Sequence, residues 1–270
     1  MSQNSKTTQL LSHLQQDLPA LLGDNLVGVY LHGSYVLKSY HENVSDLDYI
    51  IVVKEPLTDQ QKLTLMTWTV TTGWQFAPKK GLEFHVLLEK WTQHFIQPLP
   101  FDFHFSPMHW PDYQENPLQY VQEMQGTDPD LAAHLTILTH YGQVISGPAI
   151  EQVFAPVPRS AYLNSILADI SNAEQAVLTN PVYVCLNLAR VLAYLQTDQV
   201  LSKAAGGRWL LEQNILNHDQ RQLISWCLAQ YEATAVGELP VTTAVCQGYA
   251  QQLLTAIHHQ TKMITEKEAH

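Results

Sequence analysis

The alternation of apolar and polar positions divides the chain into two textures. Leu10, Leu11, Leu14, Leu18, Leu21 and Leu22 recur at three- and four-residue spacings, which predicts an amphipathic helix over residues 8–22. Gly23 and Asp24 then mark a turn. NLVGVYLHGS reads as a short apolar strand running into a Gly-Ser turn, and LDYIIVV, rich in β-branched residues, as a second strand. Helical spacing follows in LTDQQKLTLMTWTVTTGW. GLEFHVLLEKW then alternates with period two, Leu82, Phe84 and Val86 on one face and Glu83 and His85 on the other, which predicts a third strand. Three strands with helices between them make a mixed α/β unit. From about residue 128 the texture changes: DLAAHLTILTHYGQVI has helical periodicity and the proline-bearing FAPVPRSAY interrupts it. Nearly everything after Ser160 is helical, most clearly VYVCLNLARVLAYL, LSKAAGGRWLLEQ and DQRQLISWCLAQY, so an all-helical domain is expected there, with residues 156–160 as linker.

Composition narrows this picture without changing it. Of the 270 residues 46% are hydrophobic, enough for the core of one large domain or two ordinary ones. The opening string SQNSKTTQ lacks the basic start and apolar run of a secretory signal, and no apolar stretch reaches membrane-spanning length. A soluble, cytoplasmic protein with no membrane partner is therefore expected. Cys185, Cys227 and Cys246 form no CxxC pair, so buried, reduced thiols are expected in place of a zinc ribbon or a disulfide framework.

The formal net charge of -11, from 25 acids against 14 bases, opposes binding to a phosphate backbone, so no nucleic-acid partner is expected. The same excess would draw a cationic substrate into an acidic cleft, or serve solubility alone. The 13 histidines are scattered along the chain and are expected mostly at surface and capping positions.

The chemistry concentrates in two short segments. His32-Gly33-Ser34 follows a strand, and such a turn frees backbone amides and a hydroxyl to approach a phosphate, because glycine has no side chain to block it. Ser45-Asp46-Leu47-Asp48 opens the next strand; with Leu47 turned into the core, Asp46 and Asp48 point to one face as two hard oxygen donors for magnesium. Glu83, on the polar face of the third strand, would reach either the metal or an incoming hydroxyl. A DxD alone is also met as a strand-initiating turn with solvated acids. The order of turn, aspartate pair and later acid, each on its own element, distinguishes this chain.

That order resembles the nucleotidyltransferase superfamily of the DNA polymerase beta type. The segments YLHGSYVLKSYHENVSDLDYIIVV, GLEFHVLL, TDPDLAAHLTIL, VISGPAIEQVFAPVP, CLNLARVLAYL and LSKAAGGRWLLEQ together look like those of the aminoglycoside adenylyltransferases that modify streptomycin and spectinomycin. The resemblance implies an α+β protein, with an N-terminal nucleotidyltransferase domain of mixed β-sheet and flanking helices over residues 1–157. A C-terminal all-α helical-bundle domain would occupy residues 158–270. It also implies that Asp46 and Asp48 hold magnesium, that Gly33 and Ser34 contact the triphosphate of ATP, and that Glu83 is the base. Lys203 and Arg190 would reach the nucleotide from the second domain, and Trp110 would pack against an antibiotic lying between the domains.

One departure bears on the substrate. Where streptomycin-modifying relatives have an acid, Asn180 aligns, and an amide cannot pair with a guanidinium. Glu174, Asp198 and Asp112 are the possible substitutes. The expected reaction is in-line attack by a hydroxyl of a small cationic acceptor on the α-phosphorus of ATP, carried out by a monomer, and giving resistance to streptomycin or spectinomycin. The alternatives are a nucleotidyltransferase acting on another small molecule or on a protein partner, and a silent relative that only binds nucleotide.

Overall fold

The structure, a computed structural model, describes residues 5–234 and 237–268. It divides into two compact units, one ending at Ser165 and the other beginning at Ile166.

The first unit is built on a five-stranded mixed sheet. Its strands are β1 (Leu26–Leu31), β2 (Leu47–Val53), β3 (Leu82–Leu88), β5 (Phe103–Phe105) and β7 (Gln143–Ser146), in the order β5-β3-β2-β1-β7; β4 (Leu99–Phe101) and β6 (Gly126–Asp128) form a separate ribbon. Only β2 and β3 run parallel. Both faces of the sheet are covered. On one, Leu47, Tyr49, Ile51 and Val53 pack with Leu10, Leu14 and Leu18 of the helix Lys6–Leu22. On the other, Tyr30, Ile50, Val52 and Leu87 pack with Leu131, Leu135 and Leu138 of the helix Leu131–Tyr141. Burial on both faces is why LDYIIVV reads as a continuous apolar run instead of an alternating one. The expected helix after β2 forms as Asp59–Trp68, started by a Thr58–Gln61 capping box and prolonged through one π turn, Thr69–Gly73.

One segment departs from its pattern. The helical spacing of DLAAHLTILTHYGQVI extends through Ile145, yet the helix stops at Tyr141 and Gln143–Ser146 is β7, the edge strand beside β1. Gly142 makes the change, leaving helical geometry at ψ 157° while its N–H still bonds Leu138 O.

In the second unit the helix Pro181–Thr197 is the core element, with Val184–Ala189 and Val191–Leu195 all buried. The helices Lys203–Glu212, His218–Tyr231 and Thr243–Glu268 pack on it. Gly206 lets the helix Lys203–Glu212 approach it closely, since a Cβ there would lie 2.6 Å from Arg190 Cα. Cys185, Cys227 and Cys246 are free and buried, as their spacing suggested. Among the described residues no helix is long and apolar enough to cross a membrane.

Candidate active site

The three acids meet at one edge of the sheet. After β1 the His32 N–H donates to Asp48 O at 3.1 Å, tying the Gly-Ser turn to β2. Gly33 has φ 66°, and the space a Cβ would fill is occupied by the Asp48 carboxylate. Ser34 follows with a buried Oγ that makes no hydrogen bond. Asp46 immediately precedes β2 and Asp48 is its second residue, with Leu47 between them fully buried. Across the parallel pair, Asp48 is in register with Glu83 of β3. As a result one oxygen from each of Asp46, Asp48 and Glu83 lies within 4.8 Å of the other two. Three partly exposed hard oxygen donors at this spacing fit a divalent cation that keeps further positions for phosphate oxygens.

His41, His94, His140, His218, His258 and His259 are exposed, as expected of scattered surface residues, but four other histidines cluster inside the first unit. His32 and His85 are buried, and His85 stacks on His104 with ring centroids 3.9 Å apart and planes 3° from parallel. His32 and His134 lie 4.9 Å apart by the same measure. Each of three rings faces an acid: His85 Nε2 is 3.3 Å from Asp128 Oδ2, His134 Nε2 3.4 Å from Asp130 Oδ2, and His104 Nε2 3.8 Å from Glu83 Oε1. The positions 32, 85, 104 and 134 converge only through strand pairing and the helix across the sheet, so no local pattern announces them.

Their electrostatics differ with surroundings. Burial pushes His85 down to about 4, with the His104 and His134 charges adding to it against the Asp128 contact. Burial likewise holds His32 well below its ordinary value. His134 rises to about 9: burial opposes its charge, but the Asp130 contact and the Glu83 and Asp48 charges outweigh burial. For Glu83, burial would raise the carboxyl, and the polar contact with His104 together with the neighbouring imidazoles reverses this and holds it below the usual range. Glu83 is thereby kept ionised, the state a base requires.

The remaining expected residues sit as follows. Trp110 is half-buried in an aromatic group, edge-on to Trp74 at 4.8 Å and stacked on Tyr113 at 5.8 Å. In the second unit Lys203 opens its helix with Nζ 4.4 Å above the Tyr183 ring. Arg190 Nη2 lies 3.7 Å from Asp169 Oδ2, and the same carboxylate accepts from Tyr183 OH at 2.7 Å and Asn187 Nδ2 at 2.5 Å. Asn180 caps the helix Pro181–Thr197, its Oδ1 accepting from Tyr183 N at 3.4 Å. Of the possible substitute acids, Asp112 is on the helix Trp110–Glu115 of the first unit, Glu174 opens the short helix Ala173–Ala176, and Asp198 is the left-handed cap after Thr197. Asp169 was not singled out by sequence, and its part in this polar group is visible only in the structure.

Residues 10–119 match the family model described as nucleotidyltransferase domain, which contains the Gly-Ser turn and all three acids. The fold is that of a nucleotidyltransferase, and the protein is an enzyme of that superfamily. Residues 152–256 match a second model, aminoglycoside adenylyltransferase, C-terminal domain. A spectinomycin 9-adenylyltransferase of Enterococcus faecalis is 25% identical over 229 residues, 81% of this chain and 86% of that protein. One from Staphylococcus aureus is 26% identical over 195 residues, 71% of this chain and 73% of that protein. The crystal structure of an Enterococcus spectinomycin adenyltransferase with ATP and spectinomycin shares the fold, with TM-score 0.75 at 19% identity over 91% of this chain and 98% of that one. The chain belongs to the aminoglycoside adenylyltransferases.

Proposed function

We propose that the protein transfers AMP from magnesium-ATP to a hydroxyl of an aminoglycoside-type antibiotic, spectinomycin before streptomycin, and so confers resistance. The observation that carries this is the convergence of Asp46, Asp48 and Glu83 beside the Gly33-Ser34 turn. Asp46 and Asp48 would hold magnesium, which when bound offsets charge on the phosphate oxygens. The turn amides and Ser34 Oγ receive the triphosphate. Glu83, held ionised, takes the proton of the acceptor hydroxyl. That oxygen bonds the α-phosphorus while the bond to the bridging oxygen breaks and pyrophosphate leaves.

Two observations favour spectinomycin. The relatives bear its name, and Asn180, where an acid would pair with the streptomycin guanidinium, is a neutral amide already engaged as a helix cap. ATP supply puts the reaction in the cytoplasm, and a monomer contains every residue invoked. The test is pyrophosphate release by purified protein with magnesium-ATP and spectinomycin, streptomycin or no acceptor, with Asp46→Asn as control. Release that requires spectinomycin and disappears in the variant is expected; release unaffected by the substitution would sink the mechanism.

A further inference from the structure

Beside Glu83 the first unit holds a pair of stacked imidazoles that the proposed reaction leaves unused. Antiparallel pairing of β3 with β5 sets His104 opposite His85, and period-two alternation puts Glu83 on the same face as both. His85 is fixed on several sides: it is 1% exposed, lies edge-on to Phe101 at 5.6 Å, and faces Asp128 at 3.3 Å. The His104 ring lies flat against it, 3.9 Å away, and Tyr120 OH anchors the backbone by donating to His104 O at 2.8 Å. Ring plane and strand position are both determined by neighbours. In that plane His104 Nε2 is buried without a hydrogen-bond partner, with Glu83 Oε1 3.8 Å away.

We propose that His104 is a positioning residue for Glu83, donating Nε2–H to Oε1 so that Oε2 is turned to the acceptor hydroxyl. This rests on the reading of Glu83 as base. A buried ring nitrogen without a partner is costly, and a shift of under about 1 Å brings the pair to hydrogen-bond distance. The neutral tautomer with hydrogen on Nε2 suffices, so the role requires no change of protonation. Orienting partners of a reacting carboxylate or metal ligand are typically worth about 10–100-fold in activity or affinity.

Two variants separate positioning from packing. His104→Phe keeps a flat ring against His85 and removes the donor, whereas His104→Gln places an amide N–H close to where Nε2 was. With magnesium-ATP and spectinomycin, His104→Phe is expected to lower kcat about 10–100-fold with KM for ATP little changed, and His104→Gln to recover most of the loss. Wild-type kcat in His104→Phe, or a loss that His104→Gln does not recover, overturns the role. Glu83→Gln runs in parallel: if it retains wild-type turnover, it is the reading of Glu83 as base that fails. A second readout needs no acceptor. In 15N-histidine NMR of the protein alone, a protonated Nε2 signal that vanishes in His104→Phe should shift in Glu83→Gln. A His104 signal that reports hydrogen on Nδ1 alone, or that ignores Glu83→Gln, overturns the proposal whatever the turnover assay shows.

Discussion

Gly33 and Asp48 compete for one space: the position of a Cβ on Gly33 is already filled by the Asp48 carboxylate. Gly33 also has φ 66°, a left-handed conformation that costs other residues about 1–2 kcal/mol. The turn is therefore restricted to glycine twice, by strain and by the Asp48 carboxylate. Gly33→Ala should lower the melting temperature by several degrees. It should also cut pyrophosphate release by about 100-fold or more, because small displacements of reacting groups are that costly. A variant that melts early yet turns over normally would show that Asp48 tolerates the shift.

Asp48→Asn tests the same carboxylate from the other side. The amide nearly matches its shape, so the fold should be retained with a melting temperature close to wild type. Turnover should fall about 100-fold or more, since one hard anionic donor is lost where charge must be neutralised. Chelation of divalent ions should abolish turnover of the unmodified protein, and added magnesium should restore it. Full activity in chelator would remove the metal from the mechanism.

Much of this site was legible because its parts lie on consecutive elements with strong local signatures. The Gly33-Ser34 turn, the Asp46–Asp48 pair and Glu83 each sit where a strand pattern begins or ends, and parallel pairing of β2 with β3 brings them together. What was hidden lacks such signatures. The strands β4, β5 and β6 have three residues each, too few to establish a period of two. β7 follows a helix with only Gly142 as punctuation, so its apolar residues extend the helical spacing. The opposition of His85 and His104 is a matter of register, set by pairing across the sheet. Asp169 meets Tyr183, Asn187 and Arg190 through helix packing, which one-dimensional spacing does not encode.

Gly206 illustrates a motif residue whose role is packing. In the helix Lys203–Glu212, alanine would ordinarily be favoured over glycine by about 1 kcal/mol. Here an added Cβ would meet Arg190 Cα at 2.6 Å and Arg190 N at 2.8 Å, and neither is the end of a flexible side chain. Separating the helices should cost about 1–3 kcal/mol, which outweighs the propensity gain. Gly206→Ala is therefore expected to lower the melting temperature. Greater stability in thermal unfolding would show that propensity wins.

The buried histidines give stability a pH dependence with two limbs, best measured in metal-free buffer where the acids keep their charge. His85, held at about 4 in the folded protein, has an unfolded value near 6.5. Between those values the unfolded chain binds a proton that the folded one refuses, so stability falls as pH drops from about 6.5 toward 4, by at most about 3 kcal/mol. His134 has the opposite sign: held at about 9, it contributes stability that is complete below about 6.5 and is lost as pH rises through about 9. His85→Phe, which keeps a ring against His104, should flatten the acid limb and leave the alkaline one. His134→Gln should flatten the alkaline limb. The check is the melting temperature of each variant from about pH 4.5 to 9.5, compared with wild type. An acid limb unchanged in His85→Phe would assign that loss of stability to other groups.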